Sequence, residues 1–160
     1  MQPIDSILAI ADQYDAIVFD QWGVLHNGTS PYPDAVITID ALKGKPLAVL
    51  SNSGKRADVN AARITGMGFT PGAFDVVMTS GEALHIEFSK GRLRDIKTLL
   101  PITAAAGDAV KWAGSLPVTF TDTVPQADAI LLMGLPDAAD HPAQQAILDQ
   151  ARAADLPLIC

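Results

Sequence analysis

Short, nearly continuous apolar runs separated by segments of helical pattern constrain this chain more than any other feature. Runs at 17–19, 47–50, 76–78, 118–120, 129–133 and 158–159 have the length of strands and lack the polar alternation of a strand with one wet face. Strands of that composition are expected to be covered on both faces, the condition of a mostly parallel sheet with crossover helices. Helices are expected at 34–42, 57–67, 81–90, 105–113 and 142–154, each bounded by Gly, Pro or a capping residue. The fold class that follows is α/β, with a Rossmann-like, mostly parallel sheet. Pro142 suits a first helical turn with Asp140 or His141 ahead of it, so His141 is expected beside a surface cap rather than as a ligand.

The 160 residues are 49% hydrophobic, too apolar for a disordered chain and enough for one good core or one and a half small ones. A net charge of -7, with 11 Lys plus Arg and no basic run, argues against nucleic acid or an anionic membrane surface as the main partner. No apolar run approaches the roughly 18 residues of a membrane span, and the first residues lack the order of a signal peptide, so the cytoplasm is the expected compartment. Cys160 is the single cysteine, which excludes intrachain disulfides and thiolate zinc sites and reads as an inert, reduced thiol. No internal repeat is apparent, and the alanine clusters at 104–106 and 138–139 have no evident role. A softer boundary falls near 88–95, where Ser89-Lys90-Gly91 breaks a helix, giving segments 1–90 and 91–160. The last residues begin a strand with no crossover after it, so the chain reads as a fragment. Its bare apolar faces would invite self-association into a homo-oligomer.

In open α/β sheets ligands bind outside the carboxyl ends of the strands. The first run ends in Asp20, followed by turn residues through His26-Asn27-Gly28. Asp20 is therefore the candidate nucleophile, against the plainer role of a carboxylate capping the turn. The second run ends in Ser51-Asn52-Ser53-Gly54, with Lys55-Arg56 opening a helix. A hydroxyl, backbone N–H groups and a helix dipole can hold phosphate there, against ordinary capping by Ser51, Asn52 or Ser53. Lys55 and Arg56 are expected as solvated helix-start residues. Thr79-Ser80-Gly81-Glu82, at the third run, fits a capping box. Trp112 is expected in the core, and Trp22 as an apolar lid on the cleft.

Asp20-Gln-Trp-Gly-Val-Leu25, Leu50-Ser51-Asn52 and Thr79-Ser80-Gly81-Glu82-Ala83 together resemble the haloacid dehalogenase superfamily, particularly its class IIA sugar-phosphate and nitrophenyl-phosphatase-like branch. The match is specific over 16–85 and looser beyond. It implies the first half of the family's core over 1–90 and a continuation into an α/β cap region over 91–160. The activity it implies is Mg²⁺-dependent phosphohydrolysis of a small phosphorylated metabolite. Asp20 would attack phosphorus to form an aspartyl-phosphate, with Mg²⁺ held by the Asp20 carboxylate and the Trp22 backbone carbonyl. Ser51 would hydrogen-bond a phosphoryl oxygen, with Asn52, Ser53 and the His26-Asn27-Gly28 loop completing the phosphate and substrate pocket.

The chain departs from this pattern at two places. Trp22 stands where the family's phosphatases carry an Asp that protonates the leaving oxygen and then activates water, and an indole does no such work. Asp15 and His26 are near in sequence but not at that position. The family's Lys and acidic metal pair have no match before Cys160. Three alternatives stay open: a non-catalytic phosphate-binding or assembly module, a dehalogenase-type hydrolase of the kind with Tyr at the Trp22 position, and, more weakly, a receiver-like domain.

Overall fold

The computed structural model describes residues 4–135 and 140–160, so the alanine pair at 138 and 139 lies outside the described residues. The chain divides into two compact units, one made of 1–52 and 57–79, the other of 53–56 and 80–160. Both are parallel α/β layers, the class that the apolar runs imply.

In the first unit, β1 (Ile17–Asp20), β2 (Leu47–Ser51) and β3 (Val76–Thr79) form a parallel sheet in the order β1-β2-β3, linked by α1 (Ala35–Ala41) and α2 (Ala57–Gly66). Ile17 pairs with Leu47 and Ala48 with Val76, which brings the three carboxyl ends to one edge. Phe19, Leu47 and Val49 point into a core with Ile39, Leu42, Ile64 and Phe69. The other face is not covered as the apolar runs predict: Val18, Leu50 and Val76 are 58%, 53% and 49% exposed. Uniform apolarity records what a strand can be buried against, and in this unit only one face is.

The second unit holds α3 (Ser80–Ser89), β4 (Thr98–Ile102), α4 (Asp108–Ala113), β5 (Thr119–Phe120), β6 (Ala129–Leu132), α5 (His141–Ala153) and β7 (Leu158–Ile159). Its parallel sheet runs β5-β4-β6-β7. Trp112 is buried with Phe88, Leu99 and Leu131 on one side of that sheet, as expected of it. Leu100, Ile102, Ile130 and Ala151 pack on the other. Asp140 caps α5 by accepting the Ala143 N–H at 3.1 Å, and His141 follows it on the surface.

Strand β4 is absent from the sequence-based expectation because Pro101 interrupts it, and proline removes a ladder donor. The ladder explains how it is accommodated. The Leu99 carbonyl accepts from Thr121 on the β5 side, whereas the Thr98 and Ile102 carbonyls accept from Asp128 and Met133 on the β6 side. Pro101 therefore faces the β5 side, past the end of the two-residue β5, where no N–H is required. Helix α4 starts three residues later than expected because Gly107 takes a left-handed backbone at φ 82°. Among the described residues no helix is long and apolar enough to cross a membrane.

In each unit an aspartate immediately precedes the third strand. Asp75 Oδ2 accepts the Leu47 N–H at 2.8 Å. Asp128 Oδ2 accepts the N–H groups of Lys97 and Thr98, each at 2.8 Å, and these two bonds hold its carboxyl below the usual carboxylate range.

Candidate active site at the carboxyl edge of the first sheet

Asp20 is the last residue of β1 and pairs with Leu50, while Ser51, one residue on, pairs with Thr79. Strand spacing places the Asp20 and Ser51 Cα atoms about 6 Å apart at the same edge. Asp20 is exposed, and its Oδ1 accepts the Gln21 N–H at 2.6 Å. Thr79 is buried and Ser51 half-buried, so the edge offers one open carboxylate beside a more sheltered hydroxyl.

After Asp20 the chain makes a tight turn. The Leu25 N–H bonds the Gln21 carbonyl and the Gly23 N–H bonds the His26 carbonyl, both at 2.9 Å. A small hairpin then closes where Tyr32 N–H bonds the Leu25 carbonyl at 3.0 Å. Asn27 is exposed and supports this loop, its Oδ1 accepting from the N–H groups of Thr29 and Ser30. His26 is buried, and its Nδ1 accepts the Gly28 N–H at 2.9 Å, so the ring proton of the neutral imidazole sits on Nε2. Burial, and then the Arg63 charge, push its pKa below the ordinary value. The Gln21 carboxamide is buried as well, and neither it nor His26 Nε2 has a hydrogen-bond partner among the described residues.

Trp22 is 64% exposed, two residues past Asp20. A Cβ added at Gly28, whose φ is 99°, would come within 2.8 Å of Trp22 Nε1, so the indole edge lies directly against the bare glycine. Arg63, from α2, donates to the Gly28 carbonyl. Sequence reading missed the Trp22, Gly28 and Arg63 arrangement, because its members are up to 41 residues apart and no local pattern links them.

Ser53, grouped by sequence with Ser51 and Asn52, belongs to the second unit, where its Oγ accepts the Lys55 N–H at 3.2 Å. Arg56 corrects its expected role as a solvated helix-start residue. Its Nε and Nη2 bind the two Glu82 oxygens at 2.6 and 3.2 Å, and its Nη1 lies 2.9 Å from His85 Nδ1. The same Nδ1 lies 3.1 Å from the Trp112 carbonyl oxygen, which only accepts whereas arginine only donates, so the two contacts call for opposite tautomers of His85. Gly81, in the same unit, presses on the Gly54 backbone so closely that a Cβ there would lie 2.1 Å from the Gly54 carbonyl oxygen. Trp112 Nε1 donates to the Gly81 carbonyl at 2.7 Å. The pair Gly54 and Gly81 was visible only as two strand-end glycines.

Among the described residues no group of three or more His, Cys, Asp or Glu is placed to hold a metal ion. The Asp20 carboxylate and the Trp22 carbonyl are hard oxygen donors, the type that suits a hydrated divalent cation keeping several of its waters. They fit such an ion as part of a ligand set.

A family model described as haloacid dehalogenase-like hydrolase matches residues 17–111. A D-glycerol 3-phosphate phosphatase of Mycobacterium tuberculosis (strain ATCC 25618 / H37Rv) is 29% identical over 120 residues, covering 74% of this chain and 33% of that protein. The chain thus spans about a third of that relative's length. A crystal structure of a haloacid dehalogenase-like hydrolase from Brucella suis 1330 superposes with a TM-score of 0.81 at 23% identity, over 97% of this chain and 58% of that one. Glycerol phosphate phosphatase from M. tuberculosis, solved with magnesium, superposes at 0.63 with 20% identity, over 91% and 43% of the two chains. These superpositions agree with the parallel α/β layers described above. The matched segment contains Asp20, Ser51 and Thr79 at their strand ends, and the chain belongs to the haloacid dehalogenase-like hydrolase family.

Proposed function

We propose that this chain supplies the nucleophile and part of the phosphate pocket of a Mg²⁺-dependent phosphohydrolase acting on a small phosphorylated metabolite. The observation that carries the reading is the register placing exposed Asp20 beside Ser51 at one sheet edge. An Asp20 carboxylate oxygen bonds phosphorus as the ester P–O bond breaks, and water then attacks the aspartyl-phosphate to release orthophosphate and restore the carboxylate. Ser51 and Asn52 bind the phosphoryl oxygens, and the His26-Asn27-Gly28 loop shapes the entrance. Mg²⁺, when bound through Asp20 and the Trp22 carbonyl, supplies neutralisation of the charge gathering on the phosphoryl oxygens. The M. tuberculosis relatives, one named for glycerol 3-phosphate and one solved with magnesium, support this class of substrate and this ion. In this reading 1–90 contributes the first half of the core and 91–160 leads into the cap region.

The test is phosphate release from p-nitrophenyl phosphate by the protein as its host makes it, with and without Mg²⁺. Asp20→Asn should abolish release, and equal release by that variant sinks the reading. Trp22, where an acid–base group would serve, favours a second reading as a non-catalytic phosphate-binding module. Ligand binding without turnover in the parent, with turnover gained in Trp22→Asp, would establish it.

A further inference from the structure

Resting on the phosphohydrolase reading, we infer that Arg56 is a positioning residue for that site: through Glu82 it fixes the backbone that runs on from Ser51 and Asn52, and with it their grip on the phosphoryl group. The chain leaves the first unit after Asn52, and residues 53–56 are held by the second before α2 resumes the first at Ala57. The two phosphate-binding positions of the reading therefore run straight into a short segment anchored on the other unit. The Ser53 carbonyl accepts the Gly81 N–H at 3.0 Å. Gly54 lies so close to Met133 that a Cβ on it would fall 2.7 Å from the Met133 carbonyl oxygen. These contacts use backbone and fix the middle of the segment.

Arg56 fixes its end. Its Nε and Nη2 meet the two Glu82 oxygens at 2.6 and 3.2 Å, and the side chains are only 28% and 17% exposed. A sheltered, two-pronged, charge-assisted pair sets direction as well as distance, which a lysine cannot copy. The plainer alternative is an ion pair that only steadies the second unit. Its place in the chain favours the positioning role, because so short a segment has little slack and a shift at Arg56 is passed back toward Asn52. A misplacement of about 1 Å in a binding group can cost about 10²-fold. His85 supplies a reporter. Its Nδ1 lies 2.9 Å from Arg56 Nη1 and 3.1 Å from the Trp112 carbonyl oxygen, and it serves one of them at a time. The ring proton is on Nε2 when Arg56 is seated and on Nδ1 when it is not.

The experiment measures orthophosphate affinity by calorimetry with Mg²⁺ present, kcat and KM on p-nitrophenyl phosphate, melting temperature, and the His85 ring nitrogen shifts. The proteins are the parent as its host makes it, Arg56→Gln, Arg56→Lys, Glu82→Gln, and the double variant Arg56→Gln with Glu82→Gln. Each single change should weaken phosphate binding and kcat/KM by roughly 10- to 100-fold. The double variant should be no worse than either single one, because the pair acts as a unit. Phosphate should move the parent's His85 toward the Nε2–H tautomer. A lowered melting temperature with unchanged affinity in the folded protein overturns the inference and leaves the phosphohydrolase reading standing. Additive losses overturn it as well, since they mean that Arg56 meets phosphate itself. Phosphate binding without turnover in the parent removes the hydrolase, and the affinities still decide the role of Arg56. A parent that neither binds nor turns over overturns both. If Arg56→Gln does not fold, Arg56→Lys and Glu82→Gln decide.

Discussion

His26 Nδ1 accepts the Gly28 backbone N–H at 2.9 Å, and this bond fixes the imidazole in one tautomer beneath the loop that follows Asp20. A protonated ring would set one N–H against another at that contact. Burial and the Arg63 charge favour the neutral form in the same direction. His26 is therefore a structural member of the loop, and the stability of the first unit depends on its staying neutral.

A pH dependence follows. The folded pKa lies below the ordinary imidazole value of about 6.5, so above that pH His26 is neutral in both states and stability is full. As pH falls further, the unfolded chain takes up a proton that the folded chain refuses. Stability then drops by at most about 1.4 kcal/mol per pH unit, levelling off below the folded pKa. Urea midpoints measured between pH 7.5 and 5 should show this loss in the parent and a smaller one in His26→Gln. Parallel curves for the two proteins count against it.

Gly28→Ala places a methyl within 2.8 Å of Trp22 Nε1 at a residue with φ 99°. The strain and the displaced indole together should destabilise the first unit by about 1–3 kcal/mol. Trp22 emission should also shift as the ring leaves its place, read against a Trp112→Phe background. Unchanged melting and emission would show that the loop adapts without strain.

Gly81→Ala should be strongly destabilising to the second unit. The new Cβ would fall 2.1 Å from the Gly54 carbonyl oxygen, and backbone cannot retreat as a flexible side chain can. The Gly81 N–H also bonds the Ser53 carbonyl at 3.0 Å, so relief of the clash stretches that bond. A loss of about 2–4 kcal/mol is expected by chemical denaturation, against no loss for Gly66→Ala in α2, where the new Cβ meets open space at an ordinary φ.

Asp128 ties the starts of β4 and β6 together through the Lys97 and Thr98 N–H groups. Those bonds depress its pKa, so its contribution is present at neutral pH and is lost as pH falls below about 4 toward the folded value. Asp128→Ala should be less stable than the parent at pH 7, and the gap should narrow in acid. A gap independent of pH would mean that the carboxylate charge is not what matters.

The first sheet was legible because its strands are short apolar runs punctuated by turn residues, and the carboxyl-edge rule then pointed to Asp20 and Ser51. Contacts that depend on tertiary placement were not. Arg56 read as solvated because nothing near it in sequence announces Glu82, 26 residues on. The Trp22 and Gly28 contact required knowing that the loop folds back on itself. Coverage of both sheet faces was inferred from apolarity, yet Val18, Leu50 and Val76 carry apolar side chains on an open face. Strand β4 failed for a different reason, since the general bias against proline in strands takes no account of which side a residue faces.

That orientation of Pro101 has a consequence for growth of the sheet. Strand β5 covers only Thr98 and Leu99, so the remainder of β4 on that side is a length of ladder that a strand from another molecule could read as a template. Proline at the next outward-facing position withholds the donor such a strand would need. The residue that hides β4 from sequence inspection thus acts as a stop on intermolecular pairing.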